Sequence, residues 1–269
     1  MTSEAFESPV DFDPPLALDA DVYRRRILVR TVAPGEVVTD LEDDFHHFRV
    51  TLRHDGSVVE SVEAESIRWP WSTCPGAAVP LRALAGAPLS VRWTHAARFA
   101  KPSLNCTHQF DAAAHAVTQA ARQVDGRGRA GRQYDVEVAA VLTRGDEPAP
   151  NRLWVDGRLT LQWHMQPARQ PIDLPPELAG SPWRGGFLRW ADEHLEPDFA
   201  EQACVLRRAS DIGMGRGMPL DDVPVASQLP SSMRGVCHSL QPEVAPVAFR
   251  NVGSIRDFAS TPERLPHAD

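Results

Sequence analysis

The chain has 269 residues, 42% of them hydrophobic, and a formal net charge of -8. That length buries a real core in one large domain or two modest ones, and the negative balance advertises no basic face for nucleic acid or anionic lipid. No apolar run approaches the ~18 residues of a membrane span, and the start Met1-Thr2-Ser3-Glu4-Ala5 lacks a charged-then-apolar signal pattern. A cytoplasmic, reducing location is the expectation. There the four cysteines, Cys74, Cys106, Cys204 and Cys237, read as thiols or metal ligands rather than disulfides.

Residues 1–22 are acidic and proline-containing and read as a flexible arm. Arg24–Thr31 carries the β-rich run Ile27-Leu28-Val29. Phe45–Arg53 alternates: His46, Phe48, Val50 and Leu52 share the core face, while His47, Arg49, Thr51 and Arg53 share the other. Asp55-Gly56 is a hairpin turn, and Ser57–Ile67 is the return strand. Cys74-Pro75-Gly76-Ala77 leads into a short helix, Ala78–Ala85, closed by Gly86. Gln109–Arg122 is a better-defined helix, with Phe110, Ala113, Ala114, Val117 and Ala121 at helical spacing.

The glycine-rich stretch from Asp125 to Gly131 is the best candidate boundary. The expected domains are a metal-binding unit over 23–124 and a second α+β segment over 125–269 packed on it. The second segment opens with a strand at Tyr134–Leu142 and continues with Leu153–Met165, which contains the turn Asp156-Gly157. Phe187–Arg208 is helical, with Pro197 breaking or kinking it. Asp211–Gly217 reads as a mobile loop, and Ser232–Leu240 as a last short helix. The fold class is α+β: a small antiparallel sheet with helices, then a second β-rich segment with one long helix.

Ser103-Leu104-Asn105-Cys106-Thr107-His108 sets a thiol and an imidazole two residues apart where a loop enters a helix. The helix dipole there favours thiolate, and thiolate with imidazole is a transition-metal pair. His46 and Cys74 complete the expected ligand set, His46, Cys74 and Cys106, for a single zinc or iron ion. His108, Asp44 and His47 are the candidates for a fourth ligand or for proton transfer. Glu42, Asp43 and Asp44 form an acidic cluster beside His46 that suits a solvated strand end, or a carboxylate that orients an imidazole.

The order strand, Asp-Gly, strand, cysteine, helix, cysteine, helix over roughly residues 40–124 resembles the NifU, IscU and SufU iron–sulfur scaffold proteins. That resemblance implies metal ligands at or near His46 and at Cys74 and Cys106; the scaffold Cys-Gly-Asp motif is absent. The chain is also similar to an uncharacterised bacterial family, domain-of-unknown-function family 2889. The residues that carry it are Leu41-Glu42-Asp43-Asp44-Phe45-His46-His47, Arg68-x-Pro70, Cys74-Pro75-Gly76-Ala77, Cys106-Thr107-His108, Leu206-Arg207-Arg208 and Gly235-Val236-Cys237. That resemblance spans almost everything after residue 24 and implies no activity.

Trp154, Trp163, Trp183 and Trp190 lie in the second half. They read first as core, and second as walls for an aromatic or steroid-like ligand. The expected function is a metal-dependent enzyme acting on a small apolar or aromatic molecule. Retro-aldol lyase, hydratase or hydrolase chemistry in a catabolic pathway fits it. A metal or iron–sulfur carrier is the alternative. A homodimer is plausible from exposed strand edges.

Overall fold

The computed structural model describes residues 21–126, 128–139, 147–166 and 170–267; most of the N-terminal arm lies outside them. Eight antiparallel strands form one sheet in the order β4-β3-β2-β1-β5-β6-β7-β8. The strands are β1 (Val22–Ala33), β2 (Glu36–Asp43), β3 (His47–His54), β4 (Val59–Arg68), β5 (Gly131–Ala139), β6 (Ala149–Val155), β7 (Arg158–Met165) and β8 (Pro171–Ile172). The helices are α1 (Ala78–Leu81), α2 (Thr107–Val124), α3 (Phe187–His194) and α4 (Pro197–Gly213). The fold is α+β, as the sequence predicts. Among the described residues no helix is long and apolar enough to cross a membrane.

β1 pairs with β2 on one side and with β5 on the other. The sheet is therefore continuous across the glycine-rich stretch at 125–131. α2 packs on β1, β2 and β3, and α4 packs on β5, β6 and β7, so both long helices cover the same face. Six buried alanines on α2, from Ala112 to Ala121, let it approach the sheet closely. On that face Tyr23, Ile27, Leu41, Val50, Phe110, Tyr134 and Trp163 form the main core.

The opposite face is charged. Arg24 pairs with Glu137, Arg26 Nε donates to Asp135 at 2.7 Å, and Arg30 and Arg49 donate to the two oxygens of Asp40 at 3.0 and 2.8 Å. The alternation of strand residues explains the division: β1 contributes Tyr23, Arg25 and Ile27 to the helix face, and Arg24 and Arg26 to the other.

Local chemistry sets the turns. Asp156 and Gly157 both adopt positive φ, 51° and 75°, which a two-residue hairpin of this hand requires. At Asp55-Gly56 the Asp55 carboxylate accepts the N–H groups of Ser57 and Val58. Pro197 opens α4 and so separates it from α3, giving two helices where the sequence has one interrupted apolar stripe.

Three sequence expectations are corrected. The helix expected over Ala78–Ala85 is the four-residue α1 flanked by 3-10 turns, because Pro75 and Pro80 each remove a backbone donor. The region 232–240 is two separate 3-10 turns, Ser231–Met233 and His238–Leu240, broken at Gly235 with φ 70°. The 211–217 segment is not a free loop: α4 runs to Gly213, and Arg216 then bonds Asp44 and Asp257. The tryptophans follow the core expectation, with Trp163 fully buried and edge-on to Trp183 at 5.3 Å.

Under the C-terminal turns lies a second, smaller core. It contains Phe48, Trp71, Cys74, Cys106, Leu229 and Leu240.

Candidate functional site

The tight β2–β3 connection brings Asp43 back onto His46. Asp43 N–H donates to His46 O at 2.9 Å, and Asp43 Oδ1 accepts the N–H groups of Phe45 and His46 at 2.9 and 2.8 Å. The same oxygen lies 3.0 Å from His46 Nδ1. A carboxylate only accepts, so His46 Nδ1 donates and Nε2 keeps its lone pair.

Asp43 Oδ2 faces the other way. It accepts Tyr23 Oη–H at 2.6 Å and Arg25 Nη2–H at 2.7 Å, and it lies 3.3 Å from His108 Nε2. Tyr23 and Arg25 are two residues apart on β1, so both point to the helix face where Asp43 sits. His108, in the first turn of α2, completes the group. Its ring stacks on that of His46, with centroids 3.7 Å apart and planes at 25°.

Two tautomers are open to His108. With the proton on Nδ1, Nε2 accepts from Arg25 Nη2 at 2.9 Å. With the proton on Nε2, the ring donates to Asp43, and Nδ1 accepts across 3.9 Å from Cys106 Sγ.

Burial and charge set the protonation states. Burial pushes Asp43 up, but the neighbouring His46, the Arg25 charge and the bonds from His108 and His46 hold it well below the usual carboxylate range. Burial depresses His46 despite its contact with Asp43, and burial together with the neighbouring His46 depresses His108 strongly. Both imidazoles are therefore neutral at pH 7, with lone pairs available for an acid or a cation.

Asp43, His46 and His108 each offer a donor atom within 4.8 Å of the others'. Among the described residues no triad at that distance includes Cys74 or Cys106. Cys106 occupies the N-cap of α2, two residues from His108, and packs in the smaller core. Burial and the neighbouring Cys74 and Cys237 push its thiol well up, which outweighs the helix dipole. Cys106 is thus a neutral thiol rather than the thiolate expected from its position. Cys74 accepts from Ser239 Oγ at 3.4 Å, and burial raises its thiol too.

The expected acid–base residues are dispersed. His108 is in the cluster. His47 is on the opposite face, 3.4 Å from Glu42 and 3.9 Å from Asp40. Asp44 turns away toward Arg216, whose Nη1 lies 2.5 Å from its Oδ2, and toward the Phe258 N–H at 3.4 Å. Burial pushes its carboxyl up to about 7 against the pull of Arg216. Sequence reasoning misses Tyr23 and Arg25 entirely. Their signal is an aromatic and an arginine inside an apolar run, where a buried charge demands a partner.

No curated protein matches the chain. The model of a family described as protein of unknown function (DUF2889) matches residues 22–123, from the first residue of β1 to the penultimate residue of α2. That span is similar to the family, and it contains Tyr23, Arg25, Asp43, His46, Cys106 and His108.

Proposed function

We propose that the protein is a metal-dependent enzyme acting on a small apolar or aromatic organic molecule. A single zinc or iron ion is held by Asp43, His46 and His108. The reading rests on the convergence of those three donors within 4.8 Å of one another. One carboxylate oxygen and two neutral imidazoles suit zinc or ferrous iron, and three protein ligands leave coordination open to water or substrate. Arg25 and Tyr23 hold Asp43 Oδ2, and the Phe45 and His46 N–H groups hold Oδ1, so the carboxylate is oriented on both sides, as metal-bound carboxylates commonly are. His108 would ligate through Nε2, the atom that Arg25 Nη2 contacts at 2.9 Å.

A bound ion supplies Lewis acidity or an activated water. Lyase chemistry of the retro-aldol type, hydration and hydrolysis all use that. Asp44, one residue along, faces Arg216 instead of the three donors, so we assign proton transfer to the neutral imidazoles and not to it. We place this activity in the cytoplasm, where the free thiols of Cys74, Cys106, Cys204 and Cys237 stay reduced.

The test is elemental analysis of tag-free protein for wild type, His46→Ala and Cys106→Ala. Near-stoichiometric zinc or iron that is lost in His46→Ala and kept in Cys106→Ala supports the ligand set. Loss in both variants restores a thiol ligand, and metal-free wild type ends the metal reading. A visible iron–sulfur absorption band would favour a carrier instead.

One observation favours a second reading. Cys106 Sγ, His108 and Asp43 lie in the order thiol, imidazole, carboxylate, at 3.9 and 3.3 Å. That is the order of nucleophile, base and orienting group in thiol hydrolases. Selective alkylation of Cys106 by iodoacetamide, abolished in His108→Ala, would support it.

A further inference from the structure

Beside the smaller core, the C-terminal turns enclose a cavity of about 280 Å3. Its walls are apolar, with Ala226, Leu229, Met233, Leu240 and Ala245 among them, and Ser227 and Arg234 supply the polar groups. That volume falls just below the ~300–1,000 Å3 of clefts that hold drug-sized ligands, so it fits a small molecule. No carboxylate lines it, and among the described residues Arg234 has no ion-pair partner. Ser227 and Arg234 are exposed at the rim, whereas Leu229 and Leu240 are buried at the base.

The turns that carry the cavity's wall also tie it to the candidate site. Gln241 Nε2 donates to Ser103 O at 2.6 Å, and His238 N–H donates to Asn105 O at 2.9 Å, immediately before Cys106. Leu229 and Leu240 pack in one cluster with Cys106 and Phe48. The Phe48 ring lies 5.9 Å from that of His46 and 6.2 Å from that of His108. One packed layer therefore separates the cavity from the two imidazoles.

We propose that this cavity binds a small monocarboxylate with an aliphatic or aromatic body, as a ligand seated beside the candidate site and not in contact with its donors. The body fills the apolar interior and the carboxylate meets Arg234 at the rim. The cavity's preference for an apolar acid does not depend on the function proposed above. The physical basis is complementarity: an apolar lining gains about 25 cal/mol per Å2 of apolar surface removed from water, and the lone guanidinium selects an anion over its neutral isostere.

The experiment is calorimetric titration of the full, metal-free chain with 3-phenylpropionate and with 3-phenylpropionamide. Wild type is expected to bind the acid more tightly than the amide. Arg234→Gln weakens the acid about fivefold, as fits a charged bond at a partly solvated rim, and leaves the amide unchanged, which also reports an intact fold. Ser227→Trp, at an exposed position, fills the mouth and abolishes both. Equal binding of acid and amide, no binding of either, or indifference to both substitutions overturns the proposal. The two readings fail separately. Acid binding with this pattern in a protein that carries no metal removes the metal enzyme and leaves the site; stoichiometric metal without acid binding does the reverse.

Discussion

Asp43 receives Tyr23, Arg25 and His108 on one oxygen, and the Phe45 and His46 backbone with the His46 ring on the other. Arg25 and Asp43 are both nearly inaccessible, so removing one charge strands the other. Asp43→Asn should lower stability by about 3–5 kcal/mol, the cost of breaking a buried pair from one side, and should abolish metal binding. The double variant Arg25→Met/Asp43→Leu should recover most of the stability in denaturant titration without recovering metal. Recovery of metal by that variant would show that Asp43 is not a ligand. At this scale the sequence is half legible. Strand parity puts His46 on the face of Phe48, and the acidic cluster beside it includes the carboxylate that orients it. The sequence nevertheless ranks Cys74 and Cys106 above Asp43, because thiolate character is read from helix position while desolvation depends on what covers the thiol. That cover comes from Leu229, Leu240 and Cys237, more than a hundred residues away.

α2 and α4 are stapled by one buried carboxylate. Glu201 on α4 accepts from His115 Nδ1 at 2.7 Å and also bonds Arg122; Arg132, Tyr134 and Asp198 face it from the neighbouring elements. Burial pushes Glu201 up, but the His115 bond and the charges of Arg122, His115 and Arg132 hold it far below the ordinary glutamate range. A carboxyl depressed on folding adds stability above its unfolded pKa, about 4.3, and loses that contribution as the pH falls below it. Glu201→Gln should therefore cost about 3–5 kcal/mol at pH 7, and its deficit against wild type should narrow steadily in unfolding titrations below about pH 4. A deficit independent of pH would mean that packing rather than charge is lost. The end of α4 is equally constrained. A Cβ on Gly213 would lie 2.8 Å from Val138 Cγ1 and 3.1 Å from Tyr23 Cδ1. Gly213→Ala should be destabilising by about 1–3 kcal/mol from overpacking, despite the ~1 kcal/mol that alanine gains in a helix. Val138→Ala in the same chain should relieve it. The helices themselves are legible, since α2 and α4 follow apolar periodicity and Pro197. β2 is not. Asp40 and Glu42 sit on the sheet's charged face, but Val38 shares that face while Thr39 and Asp43 share the apolar one, which blurs the alternation that marks a strand.

For the whole molecule the decisive strand is β1, hydrogen-bonded on both sides by segments on either side of the glycine-rich stretch. Local pattern can mark a strand by its period of two but says nothing about which distant strand it pairs with. A glycine-rich run such as 125–131 therefore reads as a boundary even where one sheet joins the segments on either side of it. The consequence can be tested on the fragment 21–126, which holds the whole candidate triad and the span similar to the family of unknown function. Without β5, β1 becomes an edge with unpaired backbone donors and acceptors. Arg24 loses Glu137 and Arg26 loses Asp135, both buried pairs. Two such losses, at about 3–5 kcal/mol each, come to about 6–10 kcal/mol, comparable with the 5–15 kcal/mol that holds an ordinary domain together. The loss of the α4 cover over Tyr23 adds to them. The fragment should be unfolded or self-associated, with collapsed amide dispersion in its NMR spectrum and no metal in elemental analysis, while the full chain shows dispersed resonances. A monomeric fragment with dispersed resonances would establish instead that residues 21–126 fold alone, and that β5 to β8 are an addition to a self-sufficient site.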